Sequence, residues 1–280
     1  MITNYNTIRK VVSRGSPTSL AIVNPKQEYL FQVLKESEIK NWIKPNIFSD
    51  PDPVAATHKA LAAMDTDKPW LLMKGDIDTA SLLKAVMNSQ LRKDKDRLLT
   101  HIAVLESPRY KRLLLTTDGG VNTRISEDIL DAILENVLLV TQALQNPKPN
   151  IAMLALVEKV TSKLPETMFA QQTAQRYKND QRFIIEGPVA LDVALSGEAA
   201  RAKGLSSRIA GQTDVFIGPN ITATNFVSKA LLEIGGAQGG GIILGASVPI
   251  VLLSRSDTLE TKLNSIALGL LILQGEKNGY

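Results

Sequence analysis

The stretch GGAQGGGIILGASVPIVLLSR, from Gly235 to Arg255, joins a glycine cluster, a short apolar run and a terminal Ser-Arg pair. The apolar run from Val248 has the length and composition of a buried strand, and a proline near its start suits a strand opening. Ser254 and Arg255 would then follow the carboxyl end of that strand, where open α/β sheets bind ligands. The stretch therefore predicts an α/β sheet with an anion site at this end.

The glycine cluster before the run predicts a turn that approaches a ligand closely with its backbone N–H groups, because glycine lacks a Cβ atom. The glycines proposed to contact the ligand are Gly239, Gly240 and Gly241. Glycines also mark ordinary turns, and an arginine after a strand is often a solvated loop residue, so this stretch alone leaves both interpretations open.

Composition limits the chemistry that this chain can perform. The 280 residues are 44% hydrophobic and 21% charged, which suits a globular protein of two medium domains. The absence of cysteine excludes disulfides, thiolate nucleophiles and Cys-ligated metals. With His58 and His101 as the only histidines, a His-rich metal site or a serine-protease triad is disfavoured. We therefore expect no metal, and chemistry that rests on carboxylates, Arg, Lys and hydroxyls.

Charge and hydropathy define the expected surroundings of the protein. A formal net charge of +4 favours anionic small molecules and is too small to indicate a nucleic-acid surface. The N-terminal segment has no apolar core of a secretory signal, and the longest apolar runs are shorter than the roughly 20 residues that span a bilayer. We expect a cytoplasmic protein with no nucleic-acid or membrane partner.

Strand-like and helix-like segments alternate along most of the chain, which predicts right-handed βαβ units and a mostly parallel sheet covered by helices on both faces. One junction is informative. The strand PWLLMKGD ends at Lys74 and Gly75, and Thr79 is predicted to cap the helix that follows, where helix N–H groups attract anions. A lysine in an ordinary salt bridge beside a turn glycine explains the same residues equally well.

Three ordered blocks resemble the phosphate acyltransferases, specifically the phosphate butyryltransferase branch of the phosphotransacetylase superfamily. The blocks are MKGDIDTASLLKAVM from Met73, EGPVALDVALSGEAARAKGLSSRIAGQTDVFIGPNITATNFVSKAL from Glu186, and GASVPIVLLSRSDTLETKLNSIALG from Gly245. The resemblance implies exchange of an acyl group between coenzyme A (CoA) and inorganic phosphate, giving acyl phosphate and free CoA. It implies no cofactor beyond these substrates.

The same resemblance implies an architecture. It consists of two αβα domains like those of isocitrate and isopropylmalate dehydrogenases, with the active site in the cleft between them, in a homodimer. The first domain would comprise residues 1–122 and 245–280, and the second would be an insertion over residues 123–244.

The resemblance also assigns roles to residues of the last block. Arg255 occupies the position of the phosphate-binding arginine, and a planar guanidinium suits bidentate phosphate recognition. Ser254 occupies the adjoining position, where its hydroxyl would donate to the developing oxyanion. Acetyltransferase relatives place an aspartate where this chain has Thr261, so the general base is open between Glu260 and Asp257. Either carboxylate also suits the first turn of a helix.

Four further positions are candidates for substrate binding. Asn225 and Lys229 keep the family pattern, although Asn220 and Thr224 replace its usual aspartate and glycine. Lys84 matches an arginine that relatives use for CoA, and Lys74 lies at the junction described above. Each of these lysines is also explained as solvated surface charge.

Two alternatives remain open at this stage. The substitutions at Thr261, Asn220 and Thr224 suit a non-catalytic sensor of acyl-CoA or phosphate. A dehydrogenase on the same fold is disfavoured, because the chain has no GxGxxG after a strand and no cluster of metal-binding aspartates.

Overall fold

The computed structural model describes residues 1–26, 33–36, 39–65, 68–92, 98–252 and 257–277. The chain divides into two compact units, which we call the central unit (Met1–Asn4 and His101–Gln238) and the flanking unit (Tyr5–Thr100 and Gly239–Tyr280). This division assigns residues 1–4, 101–122 and 239–244 differently from the domains suggested by the sequence. The predicted domain boundaries stay a prediction.

The described part of the flanking unit contains strands and helices in alternation. Its strands are β1 (Thr18–Val23), β2 (Ile43–Phe48), β3 (Trp70–Lys74), β9 (Gln238–Leu244) and β10 (Ile250–Val251). Its helices are α1 (Tyr5–Val12), α2 (Ile39–Trp42), α3 (Pro53–Ala63), α4 (Thr79–Met87) and α10 (Leu259–Lys277). The strand order is β2-β1-β3-β10-β9, and every neighbouring pair is parallel except β10 with β9.

Helix caps of this unit follow from short-range chemistry. Asp52 caps α3 as its sequence suggests, accepting the N–H of Val54 at 3.0 Å. At α4 the predicted cap Thr79 is wrong, because the preceding Asp78 accepts the N–H of Ser81 at 2.8 Å. The hydrogen bonds from Ser81 hold the pKa of Asp78 below its usual range. The predicted cap position is therefore one residue too late. Aspartate is at least as good a cap as threonine, so Asp78 takes the position.

The glycine cluster forms a strand rather than the predicted turn. Gly239, Gly240 and Gly241 lie in β9, which packs against α10. A Cβ atom on Gly240 would lie 2.9 Å from the main-chain carbonyl carbon of Asn264 and from the N atom of Ser265. Gly240 therefore allows β9 and α10 to approach more closely than a side chain would permit.

The central unit contains the rest of the described elements. Its strands are β4 (Thr100–Glu106), β5 (Leu113–Thr117), β6 (Asn150–Leu154), β7 (Ile184–Val189) and β8 (Val215–Ile217). Its helices are α5 (Glu127–Ala143), α6 (Pro165–Arg176), α7 (Leu191–Leu195), α8 (Gly197–Ala202) and α9 (Ile221–Glu233). The strand order is β4-β5-β8-β6-β7, with β4 antiparallel to β5 and all other neighbours parallel.

This arrangement confirms the α/β fold class and most of the predicted alternation. The segment after Val189 forms two short helices, α7 and α8, because the Ser196 hydroxyl accepts the N–H of Ala199 at 3.2 Å and starts a new helix. A core of aliphatic side chains and Phe216 lies between the strands and these helices. Because β5, β8, β6 and β7 run parallel, their carboxyl ends share one edge of the sheet.

Within the part of the chain that the structure describes, no helix is both long enough and apolar enough to cross a membrane.

Candidate active site

The carboxyl end of β3 carries the first two predicted site residues. The ammonium of Lys74 lies 3.4 Å from the carbonyl oxygen of Gly75. A Cβ atom on Gly75 would lie 2.1 Å from the carbonyl oxygen of Val23, so the close approach of β1 requires glycine here. β10 runs parallel to β3 with Val251 level with Met73, so the chain leaves β10 at the same edge. Lys84 is exposed in the last turn of α4.

Ser254 and Arg255, on which the proposed chemistry depends most, lie outside the described residues. Their roles stay those that the family resemblance implies.

Glu260 belongs to a hydrogen-bonded chain within the flanking unit. Its carboxylate accepts from the Arg9 guanidinium at 2.6 Å, and the same Nη2 atom lies 2.7 Å from Oδ1 of Asn264. The Asn264 amide in turn donates to the carbonyl oxygen of Gly239 at 3.3 Å. Two predicted site residues, Glu260 and Gly239, are thus linked through α1 and α10, and Glu260 has a structural partner.

Asp257 lies before α10 and interacts electrostatically with Lys262. The Lys262 side chain is buried in α10, and burial lowers the pKa of its ammonium group. The negative charge of Asp257 opposes this shift. The two candidates for the base therefore differ in their partners. Glu260 is hydrogen-bonded to Arg9 on α1, whereas Asp257 interacts electrostatically with the buried ammonium group of Lys262 on α10.

In the central unit, a fully buried carboxylate holds the loop that follows β5. Asp118 Oδ1 accepts the N–H groups of Gly120 and Val121 at 2.8 and 2.9 Å. Asp118 Oδ2 accepts the N–H of His101 at 3.1 Å and the side-chain amide of Asn122 at 2.8 Å. Four donors converge on one side chain, so the carboxylate fixes the loop against the start of β4.

The predicted ligand donor Asn225 lies on α9, beside this loop. Its side-chain amide donates to the carbonyl oxygen of Gly119 at 2.9 Å, which ties α9 to the loop. A role for Asn225 in ligand binding stays a prediction. Lys229, one turn further along α9, is half-buried.

The departures from the family pattern at Asn220 and Thr224 both have structural functions. Asn220 caps α9 by accepting the N–H of Ala223 at 2.9 Å, as an aspartate would. Thr224 is buried and donates to the carbonyl oxygen of Asn220 at 2.9 Å. A Cβ atom on Gly218 would lie only 2.0 Å from the hydroxyl oxygen of Thr224, so α9 and the end of β8 are in close contact.

An apolar cavity of about 330 Å³ opens beside this contact. Its walls come from β5, β6 and β8 and from α6, α7 and α9, and they include Leu154, Phe216 and Val227. The cavity lies within the central unit, at the carboxyl ends of β6 and β8. In open α/β sheets, ligands bind at this edge.

Sequence reasoning missed Arg9, Asp118 and this cavity. The Asp-Gly-Gly that follows the buried strand β5 is a signal that points to Asp118. No local signal points to Arg9, because its partners are more than 250 residues away in the chain. Among the described residues, no group of three or more His, Asp or Glu side chains is placed to hold a metal ion. The expectation that the reaction needs no metal stays a prediction.

Comparison with solved structures places this fold among phosphotransacylases. A branched-chain phosphotransacylase from Enterococcus faecalis V583 superposes with a TM-score of 0.80, covering 91% of this chain and 99% of that chain at 28% identity. The fold is thus shared with a class of acyl-transferring enzymes.

Sequence comparisons agree with the structural one. The model of the phosphate acetyl/butaryl transferase family matches residues 40–270. The phosphate butyryltransferase of Clostridium acetobutylicum is 36% identical over 230 residues, which are 81% of this chain and 76% of its own. A probable phosphate butyryltransferase of Bacillus subtilis is 39% identical over 220 residues, 78% and 74% of the two chains. The chain belongs to the phosphate acetyl/butaryl transferase family and is an enzyme of the phosphotransacylase type.

The contacts of Asp118 predict the effect of replacing it. In Asp118→Asn, one carboxylate oxygen is replaced by an amide N–H₂ group, which cannot accept a hydrogen bond from the N–H donors around it. We therefore expect the free energy of unfolding to fall by about 1–3 kcal/mol. Denaturant unfolding followed by circular dichroism measures this loss. The matched control is Asp78→Asn, in an exposed cap where asparagine is as good as aspartate, with an expected change near zero. Equal losses in the two variants would contradict the role assigned to Asp118.

Proposed function

We propose that this enzyme exchanges a short or branched-chain acyl group between CoA and inorganic phosphate, so that acyl-CoA and phosphate give acyl phosphate and CoA. The observation that supports this best is the family match over residues 40–270, together with relatives named phosphate butyryltransferase at 36% and 39% identity. The branched-chain phosphotransacylase from E. faecalis supports the same acyl class.

The proposed reaction passes through a ternary complex without an acyl-enzyme. Toward the thioester, a base takes the thiol proton of CoA, and the thiolate sulfur forms a bond to the carbonyl carbon of the acyl phosphate. The carbonyl oxygen becomes an oxyanion, for which Ser254 supplies a hydrogen bond. The oxyanion then collapses, the carbon–oxygen bond to phosphate breaks, and Arg255 binds the departing phosphate. The proton leaves the base for solvent.

We place the general base at Asp257 rather than at Glu260. The Glu260 carboxylate is bonded to the Arg9 guanidinium at 2.6 Å, and a base in that position would have to break or share this contact. Asp257 directly follows the segment that carries Ser254 and Arg255. Lys74, Gly75, Lys84 and Lys229 are proposed to contact the phosphates of CoA or the free phosphate, and Asn225 to donate a hydrogen bond to the substrate.

Activity tests the proposal directly. Purified protein should release CoA from butyryl-CoA or isobutyryl-CoA only when phosphate is present, as measured with a thiol reagent. In Arg255→Ala we expect kcat to fall about 100- to 1000-fold, the usual effect of removing one donor that stabilises developing charge. Exposed Arg14, replaced by alanine, is the control, with turnover near that of the original protein.

Two outcomes would reject this function. Tight CoA binding with no phosphate-dependent turnover across the acyl series would favour an acyl-CoA sensor. Turnover of a nicotinamide cofactor would favour a dehydrogenase.

The assignment of the base makes a second prediction. Asp257→Asn should lower kcat at neutral pH by about 100-fold or more, as loss of a positioned base does. The remaining rate of this variant in the direction of thioester formation should rise with pH, because the CoA thiol then loses its proton to solvent without a base. Glu260→Gln should keep most of kcat and lose about 0.2–1 kcal/mol of stability, because it breaks a partly exposed ion pair. A larger loss of kcat in Glu260→Gln than in Asp257→Asn would reverse the assignment.

A homodimer is also part of the proposal, and the exposed face of α9 supports it. The residues of α9 that are fully buried are Thr224 and Ser228, whereas Phe226 is 69% exposed. Ile234, at the end of the helix and two turns from Phe226, is 88% exposed. Large, exposed apolar side chains close together on a surface are typical of a face that a partner covers.

Positive charge at Phe226 and Ile234 should therefore separate the subunits. We expect the Phe226→Lys and Ile234→Lys double variant to sediment as a monomer at micromolar concentration, where the original protein sediments as a dimer. Val54→Lys, on α3 of the flanking unit, is the control for an added charge at an exposed apolar position. An unchanged sedimentation coefficient in the double variant would exclude this surface as the interface.

A further inference from the structure

The apolar cavity of the central unit has no role in the chemistry described above. We propose that it holds the hydrocarbon chain of the acyl group, and that its lining side chains select neutral aliphatic acyl groups longer than acetyl. This inference rests on the proposed function, because it assumes that an acyl-CoA is the substrate.

The walls of the cavity match a hydrocarbon chain. The side chains of Leu154, Phe216 and Val227 contribute apolar surface, and Ala223 adds a methyl group from α9. Each CH₂ group moved from water into such surroundings contributes about 0.8 kcal/mol to binding. A chain of three or four methyl and methylene groups thus gains substantially from this site, whereas the single methyl of an acetyl group gains little.

The two hydroxyl groups in the wall, those of Thr116 and Thr224, already have hydrogen-bond partners within the protein. The hydroxyl oxygen of Thr116 lies 2.7 Å from that of Ser228, and the Thr224 hydroxyl donates to the carbonyl oxygen of Asn220 at 2.9 Å. These groups therefore do not need a partner from the ligand. An apolar chain can enter without leaving a buried donor unsatisfied, which would cost about 1–3 kcal/mol.

The size of the cavity fits the proposed occupant. Its volume is about 330 Å³. An engineered apolar protein cavity of about 150 Å³ binds benzene, a molecule of six carbons. A branched or straight acyl chain of four or five carbons therefore fits with room for the thioester end near the opening.

The cavity is open to solvent, and its opening lies among the segments that follow the strands. Leu156 and Leu191 both line it and are 72% and 38% exposed. Pro219, which follows β8, is also in its lining, one residue before the cap of α9. A chain can thus enter from the edge of the sheet where α/β proteins bind ligands.

One ionisable lining residue further restricts the class of acyl group. Glu166, in the first turn of α6, belongs to the wall. A second carboxylate at the end of an acyl chain would approach this negative charge. The cavity is therefore suited to uncharged aliphatic chains and unsuited to dicarboxylic ones.

Two substitutions on α9 test this selection in opposite directions. Ala223→Leu fills the cavity, and we expect it to lower the kcat/KM ratio of butyryl-CoA to acetyl-CoA at least about tenfold. Val227→Ala enlarges the cavity, and we expect it to raise the ratio of hexanoyl-CoA to butyryl-CoA by about tenfold. Each ratio is measured within one protein preparation at saturating phosphate, so partial misfolding affects both substrates alike.

A matched control separates selection from a general effect of leucine. Ala202→Leu makes the same change at an exposed position in α8, outside the cavity lining, and should leave both ratios as they are in the original protein. The sedimentation of all variants is measured in parallel.

The outcomes distinguish this inference from the proposed function. If the original protein turns over no acyl-CoA with phosphate, the proposed function fails. If it does turn over acyl-CoA but neither α9 variant shifts its ratio, the cavity does not hold the acyl chain. Altered subunit association in Ala223→Leu with unchanged ratios would assign the cavity to a subunit interface and would also overturn the inference.

Discussion

The buried carboxylate of Asp118 is the constraint on which the carboxyl edge of the sheet in the central unit depends. Parallel strands end at one edge, and the segments that follow them have no sheet partners for their N–H groups. Asp118 supplies acceptors for two of these N–H groups, for the N–H of His101 and for the amide of Asn122. Because one short side chain satisfies all four donors, the loop keeps a fixed shape, and Asn225 on α9 can bond to its carbonyl oxygen at Gly119.

In the flanking unit, glycine residues allow neighbouring elements to pack closely. Its elements approach so closely that a Cβ atom at Gly75 would overlap the end of β1, and one at Gly240 would press on the backbone of α10. Glycine clusters suggest ligand-binding turns when only the sequence is known, because the absence of a Cβ atom serves both close ligand contact and close backbone packing. In β9 the absence of a side chain, rather than unusual backbone angles, is what the structure uses.

How much of the molecule the sequence could predict depends on the range of the interactions. The alternation of strand-like and helix-like segments is a local pattern, and it predicted most of the elements correctly. Strand β2 was missed because it is an edge strand that carries Pro45 and exposes half its residues, so it lacks an apolar run. The pairing of Arg9 with Glu260 spans 251 positions, and no local pattern encodes it. The cavity is equally invisible, since its walls come from several strands and helices.

Helix α9 shows how one element serves several contacts at once. A helix normally buries its apolar stripe, but α9 buries the hydroxyls of Thr224 and Ser228 against the sheet. The cost of burying them is small because both are hydrogen-bonded, Ser228 to Thr116 and to the carbonyl of Thr224. Small side chains on this face let the helix lie close to Gly218. The larger apolar residues of α9 are then free to line the cavity on one side and to face outward on another.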